Sequence, residues 1–295
     1  STPATDGDLI VTSFQAGNQV DLRAFAFDGR ERWAVQPLRF DGEHGYCYSP
    51  ILHGDLLLFD CRQEGEAAVL GFDKRTGQVR WRAEPGFKRI SHVPPLLIAD
   101  GSRRQLIVCG SREIRSFDPE TGRPVWWCDG PSDVAVAGLT YGDGLLFANA
   151  GYPERTRMAV RVSGKGDVTA SHVAWSLRRE ASYVPSPVYD RGHFYSLLDE
   201  GRVYCFEART GRAVWDHRLG GRFRASLILA AGRIYATDDQ GLTTVFAASP
   251  QGFQPLAVNP LRESSYATPA LSGGRIYLRA GQHLYCIADK PSPQP

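Results

Sequence analysis

Short apolar runs of four to seven residues alternate along the whole chain with turns rich in Gly, Asp, Ser and Pro. Leu56-Leu57-Leu58-Phe59 and Ile228-Leu229 before Ile234-Tyr235 are examples. The runs favour Val, Ile, Leu, Tyr and Phe, and no segment keeps a helical period, so the pattern predicts strands joined by hairpins. One turn recurs. Phe72-Asp73-Lys74-Arg75-Thr76-Gly77-Gln78-Val79-Arg80-Trp81 returns as Phe117-Asp118-Pro119-Glu120-Thr121-Gly122-Arg123-Pro124-Val125-Trp126, and again from Phe206 to Trp215. A shortened copy runs from Phe27 to Trp33, and worn copies begin at Val162, Phe246 and Ile287. These seven positions lie 40 to 45 residues apart.

A second element keeps step with the first. A small residue and Pro precede a short run, a turn and another run, as in Ser49-Pro50-Ile51-Leu52 before Leu56 and Ser186-Pro187-Val188-Tyr189 before His193. Each unit thus reads as four strands, A to D, with Trp on strand D. In the C–D turn, Asp and Thr can bond the local backbone and Gly accepts the left-handed conformation. A four-stranded sheet cannot bury both faces alone, and radial stacking does bury them. The period therefore predicts an all-β, seven-bladed β-propeller of four-stranded antiparallel blades. Residues 1–289 are expected to form a single domain, with a Pro-rich tail at 290–295. The last unit has runs for strands A, B and C only. Residues 1–6 could supply strand A of the first blade or strand D of the last, but hardly both.

Composition narrows the class. The 34 basic and 32 acidic residues leave a formal charge of +2, too little for a nucleic-acid binder that works by neutralising phosphates. The apolar runs are far shorter than the roughly 18 residues that cross a bilayer as a helix. The sequence starts at Ser1 with neither a charged n-region nor an apolar h-region, so an export signal is expected to have been removed or left out. Six Cys residues include no CxxC pair, which disfavours zinc. Cys47 and Cys61 flank the His53-Gly54-Asp55 turn, where a disulfide and two buried thiols are both open; Cys205 and Cys286 read as core residues.

The Asp-x-x-Thr-Gly-x-x-x-Trp turn, with Ser-Pro upstream, resembles the pyrroloquinoline-quinone (PQQ) type propeller repeat. That repeat builds the quinoprotein alcohol dehydrogenases and the BamB-like envelope proteins. The resemblance spans the whole chain, with full motifs in blades 2, 3 and 5. It implies a propeller and leaves two functional classes. A quinoprotein would need adjacent cysteines, a tryptophan floor and calcium held by Glu, Asn and Asp. This chain has no adjacent cysteines and only three Asn: Asn18, Asn149 and Asn259. The BamB-like class uses the propeller as a binding scaffold and requires no catalytic residues.

The D–A loops and the start of strand A surround one mouth of a propeller, and a rigid scaffold commonly places function on such loops. The candidates there are His44, Tyr46, Lys88, Arg89 and His92 in the first half of the chain. In the second half they are Tyr183, Arg222, Arg224, Arg262 and Tyr266. Arg with Tyr suits an anionic or sugar-like ligand; solvated loop charges beside Asp41, Glu43, Glu180 and Glu263 are the plainer reading. Trp33, Trp81, Trp126, Trp175 and Trp215 are expected to anchor the blades. Asp199-Glu200-Gly201 and Asp238-Asp239-Gln240-Gly241 read as turns, and no metal is expected. The reading is a monomeric, non-catalytic binding or scaffold propeller of the bacterial envelope. It needs no cofactor and binds a protein or an acidic glycan at the strand-A mouth. The alternative is an enzyme using that mouth, either a PQQ-dependent dehydrogenase or a carbohydrate-active lyase or hydrolase built from His44 or His92 with Tyr183 and Arg224.

Overall fold

The computed structural model describes residues 1–42, 45–63, 65–86 and 92–288. The chain divides into two compact units, Ser1–Arg178 and Arg179–Pro295. The tail at 290–295 lies outside the described residues.

The first unit holds four sheets. Blade 1 is β1 (Ala4–Thr5), β2 (Ile10–Ala16), β3 (Gln19–Phe25) and β4 (Glu31–Val35). Blade 2 is β5 (Ile51–His53), β6 (Leu56–Cys61), β7 (Ala68–Asp73) and β8 (Val79–Ala83). Blade 3 is β9 (Leu96–Asp100), β10 (Arg103–Gly110), β11 (Glu113–Phe117) and β12 (Pro124–Asp129). Blade 4 is β13 (Thr140–Gly142), β14 (Leu145–Ala150), β15 (Thr156–Arg161) and β17 (Val173–Leu177). Between β15 and β17 lie a two-residue strand, β16 (Gly166–Asp167), and the single-turn helix α1 (Thr169–His172).

The second unit holds three sheets. Blade 5 is β18 (Val188–Asp190), β19 (His193–Leu197), β20 (Arg202–Glu207) and β21 (Ala213–Arg218). Blade 6 is β22 (Ile228–Ala230), β23 (Arg233–Thr237), β24 (Leu242–Ala247) and β25 (Pro255–Pro260). Blade 7 is β26 (Ala270–Ser272), β27 (Arg275–Arg279) and β28 (Leu284–Ile287). The architecture is the expected all-β, seven-bladed propeller of antiparallel blades.

The central strands explain the continuous apolar runs. In β6, Leu57, Phe59 and Cys61 pack with blade 1, while Leu56 and Leu58 pack with blade 3. A strand covered on both faces needs apolar residues at every position, because successive side chains point opposite ways. First strands are half-buried, and fourth strands such as β8 and β21 expose most of their residues.

Three tryptophans of the fourth strands reach into the next blade. Trp33 Nε1 donates to the Lys74 carbonyl at 2.8 Å, Trp81 Nε1 to the Pro119 carbonyl at 3.1 Å, and Trp215 Nε1 to the Ser249 carbonyl at 2.9 Å. Blade 3 uses a relay. Trp126 Nε1 donates to Gln105 Oε1 at 2.7 Å, and Gln105 Nε2 donates to the Val162 carbonyl of blade 4 at 3.1 Å. A buried indole thus finds an acceptor for its N–H while its ring fills the gap between sheets.

Three details differ from or sharpen the sequence reading. Residues Ala4–Thr5 form the first strand of blade 1, and blade 7 has three strands among the described residues. The long C–D connection of blade 4 folds back so that β16 pairs in parallel with β12, giving blade 3 a fifth strand. Cys205 is buried, but Cys286 is exposed, a correction that follows from its place on β28, the outermost strand of blade 7 among the described residues. None of the six cysteines forms a disulfide.

Candidate functional site

The B–C turns and D–A loops meet at one end of each sheet, and backbone hydrogen bonds fasten them together. In the second unit, Asp199 accepts from the Tyr183 amide at 2.8 Å and the Val184 amide at 3.2 Å, while its carbonyl receives the Phe223 amide at 2.9 Å. Asp239 repeats the arrangement. Its amide donates to the Arg222 carbonyl at 2.8 Å, and its carbonyl accepts from Ser265 at 3.2 Å. Asp238 is buried and caps its own turn, accepting from the Gln240 and Leu242 amides at 3.0 and 2.8 Å. The turn reading of both acidic stretches therefore holds, and among the described residues no group of three His, Cys, Asp or Glu could hold a metal.

This end presents cations outward. Arg222 and Arg224 are exposed and alternate with buried Phe223 and Ala225, as an extended segment requires. Arg262 is also exposed, and Tyr266 is 68% exposed. Among the described residues no carboxylate pairs with the guanidinium of Arg222, Arg224 or Arg262. Nearby acids are occupied otherwise. Glu263 accepts from Tyr285 Oη at 2.6 Å and from the Gln282 amide, and His283 Nδ1 lies 3.0 Å from it. The Tyr285 hydroxyl, helped by Gln282 and His283, holds the Glu263 carboxyl down at about 2. Sequence reading placed Glu263 beside Arg262 as its neutralising neighbour. Its partners come from a B–C turn about twenty residues on, and only the glycine at Gly281 hinted at that turn.

The first unit treats its candidates differently. Tyr46 is half-buried, hydrogen-bonded to Ser13, with its ring edge-on to Phe40 and Tyr48 at 5.6 and 5.1 Å. His92 Nδ1 lies 3.3 Å from Cys47 Sγ. Burial pushes the Cys47 thiol up to about 11, so the pair is no activated thiolate. Arg62 is wholly buried with Asp60, Nε to Oδ1 3.5 Å, and burial pushes Asp60 up to about 6. His44, Lys88 and Arg89 lie outside the described residues.

The residues do not fit calcium and PQQ. All six tryptophans lie on fourth strands, where Trp33, Trp81, Trp126 and Trp215 are already hydrogen-bonded through their indole N–H groups. Asn18, Asn149 and Asn259 belong to three different sheets, with Asn149 buried inside β14. No two cysteines are adjacent.

Comparison with known proteins gives a consistent result. Residues 160–279 match a family model described as outer membrane protein assembly factor BamB. The structure resembles BamB from Moraxella catarrhalis with TM-score 0.71 at 16% identity, over 93% of this chain and 79% of that one. It resembles the C-terminal WD40 domain of Sif2 with TM-score 0.66 at 12% identity, over 96% and 82%. It also resembles a europium-containing methanol dehydrogenase with TM-score 0.65 at 10% identity, over 94% and 73%. At such identities these structures speak for the fold alone. No curated protein matches the chain in sequence. Residues 160–279 thus resemble the BamB family in sequence, and the whole chain shares the β-propeller fold of these structures.

Proposed function

We propose that the protein is a non-catalytic binding propeller of the bacterial cell envelope, which holds an acidic partner against the D–A loops of its second unit. The observation that carries this reading is the set Arg222, Arg224 and Arg262, exposed and without carboxylate partners, beside Tyr266. The neighbouring acids Asp199, Asp238 and Glu263 are held by amides and hydroxyls and do not neutralise them. Guanidinium groups left free in this way suit carboxylates, which they can bind in pairs. A protein partner is favoured over an acidic glycan, because the family model and the Moraxella structure both carry the name of an assembly factor. The envelope location rests on the same two likenesses. Mouth residues serve recognition here, and no cofactor or metal is part of the proposal.

The test uses two fluorescent polyanions, poly-glutamate and polygalacturonate, in anisotropy titrations at low and high salt. Poly-glutamate is expected to bind. Replacing Arg222, Arg224 and Arg262 with Ser should weaken it by about tenfold, since exposed ion pairs contribute about 0.2–1 kcal/mol each. High salt should weaken it as well. Preference for polygalacturonate would turn the reading to the glycan. Binding unchanged in the triple variant, or no binding of either polymer, would sink it.

A further inference from the structure

At two blade junctions, a residue at the end of strand A meets the C–D turn of the following blade as an ion pair. Asp6 follows β1, and Lys74 Nζ from the blade 2 turn donates to its Oδ2 at 2.8 Å. The Lys74 side chain is only 13% exposed there, and its ammonium chiefly holds the Asp6 carboxyl down at about 2. Between blades 2 and 3 the polarity is reversed. His53 ends β5, and its Nε2 lies 3.0 Å from Glu120 Oε1 of the blade 3 turn.

The junction of blades 5 and 6 keeps only one half of this arrangement. Asp190 ends β18 opposite His193, as His53 ends β5 opposite Leu56. Ala248 stands where blade 2 has Lys74. Each lies two residues after the Phe at which strand C shifts register, Phe72 or Phe246. Each also donates its amide to the A–B turn of its own blade, Lys74 to the Asp55 carbonyl and Ala248 to that of Gly232. Alanine is too short to span the junction. A cavity of 310 Å³ lies there, with Asp190, His193 and Tyr195 of blade 5 on one side and Ala248, Ser249 and Gln251 of blade 6 on the other. The blade 6 turn brings no cation to it. Ser249 Oγ donates to Gln251 Oε1 at 2.7 Å and accepts from Gln254 Nε2 at 3.3 Å, so these groups satisfy one another. Asp190 turns to Arg191 of its own hairpin, whose Nε and Nη2 both reach Oδ2, at 3.1 and 3.0 Å. Its Oδ1 has no hydrogen bond among the described residues. Arg191 is 79% exposed, and water screens such a pair. Asp190, His193 and Ser249 share the cavity without forming a catalytic relay, because Ser249 Oγ is held by Gln251 and His193 Nδ1 faces the Arg191 carbonyl at 3.1 Å.

We infer that this cavity binds a small primary alkylamine, whose ammonium takes the place on Asp190 that Lys74 holds on Asp6. An ammonium carries three donors, and its bond to a carboxylate is charge-assisted. Tyr195, Ala248 and Pro250 give the methylenes apolar walls. The A–B and C–D turns that build the site lie at the opposite end of their sheets from the loops of Arg222, Arg224 and Arg262. The inference therefore stands apart from the proposed function.

The probe is n-butylammonium, the side chain of lysine without its backbone, titrated at constant ionic strength into the intact chain while amide resonances are followed by NMR. Saturable shifts are expected at 190–193 and 248–251. The isosteric alcohol n-butanol should bind at least tenfold more weakly. Asp190→Asn should weaken the amine at least tenfold, while Asp216→Asn, which removes the exposed carboxylate that holds Arg202 on β21, should not. Ala248→Lys should supply the ammonium from the chain itself, abolish the shifts and raise the melting temperature. If that variant fails to fold, Asp190→Asn and n-butanol still decide. No saturable shift at these amides, equal binding of n-butanol, or binding unchanged in Asp190→Asn or in a folded Ala248→Lys would overturn the inference.

Discussion

Gly77 shows how a single residue in the repeated turn ties two blades together. Its φ is +73°, in the left-handed region, and a Cβ there would lie 2.8 Å from Trp33 Cε3. Gly144 has a similar φ of +75° with nothing within 4 Å of such a Cβ. The pair separates two costs. Gly144→Ala should lose about 1 kcal/mol from backbone strain alone. Gly77→Ala adds the collision with an enclosed indole, for a total of about 3 kcal/mol. Thermal unfolding of the two variants checks this, and equal melting shifts would mean that the indole yields without cost. At this scale the sequence was legible where chemistry is local: the constant Gly-to-Trp spacing marked both partners of the contact. It was not legible where a side chain chooses a side. Tyr46 and Tyr266 precede strand A at nearly the same spacing, yet Tyr46 packs among Phe40, Tyr48 and Ser13 while Tyr266 stands in solvent.

The C–D turn is the element that recurs, and its carboxylate organises it. Asp73 Oδ1 accepts from the Arg75 and Thr76 amides at 3.0 Å and from Thr76 Oγ1 at 3.1 Å, while Oδ2 takes Arg80 at 2.5 Å. Arg80 chiefly, then the turn amides, hold the carboxyl at about 2, below its ordinary 3.8. A folded value below the unfolded one means that the charged form stabilises the fold above about pH 3.8. That contribution fades as pH falls through about 2. Asp73→Asn keeps one acceptor oxygen and removes the charge. Its melting temperature should lie below that of the parent at pH 6, and the gap should close as pH approaches 2. A gap constant over that range would mean that geometry, with no part played by charge, sets the effect. Strand order and turn position were readable throughout because apolar runs and turn residues alternate so regularly. β16 and α1 were not, since a two-residue bridge and a single turn leave no period to detect.

At the scale of the whole molecule, one repeat serves different trades, so the fold does not name a function. The methanol dehydrogenase and BamB structures both resemble this chain, with nearly equal coverage of it. What separates the readings is where particular residues went. Three tryptophans that might have floored a quinone, Trp33, Trp81 and Trp215, join sheets instead by donating to carbonyls of the next blade. Of the mouth candidates, Arg222, Arg224, Arg262 and Tyr266 reach solvent, and their loops were identifiable from the small residue before each strand A, Ser226 in blade 6 and Thr268 with Pro269 in blade 7. The commitment of Asp199 and Glu263 to amides and hydroxyls could not be read from sequence, because the partners lie far along the chain. A thermal scan with PQQ and calcium, separately and together, follows from this placement. A ligand at a hundred times its dissociation constant stabilises by about 2.7 kcal/mol, and each kcal/mol moves the midpoint of a chain this long by about 2 °C. A true quinone site would therefore raise the midpoint by about 5 °C, and only with both components present. We expect no such rise, because taking Trp33, Trp81 or Trp215 from its sheet junction to serve a quinone would reopen the gap it fills. A rise that requires both would show that the mouth holds a quinone by some other set of residues and would return the protein to the oxidoreductases.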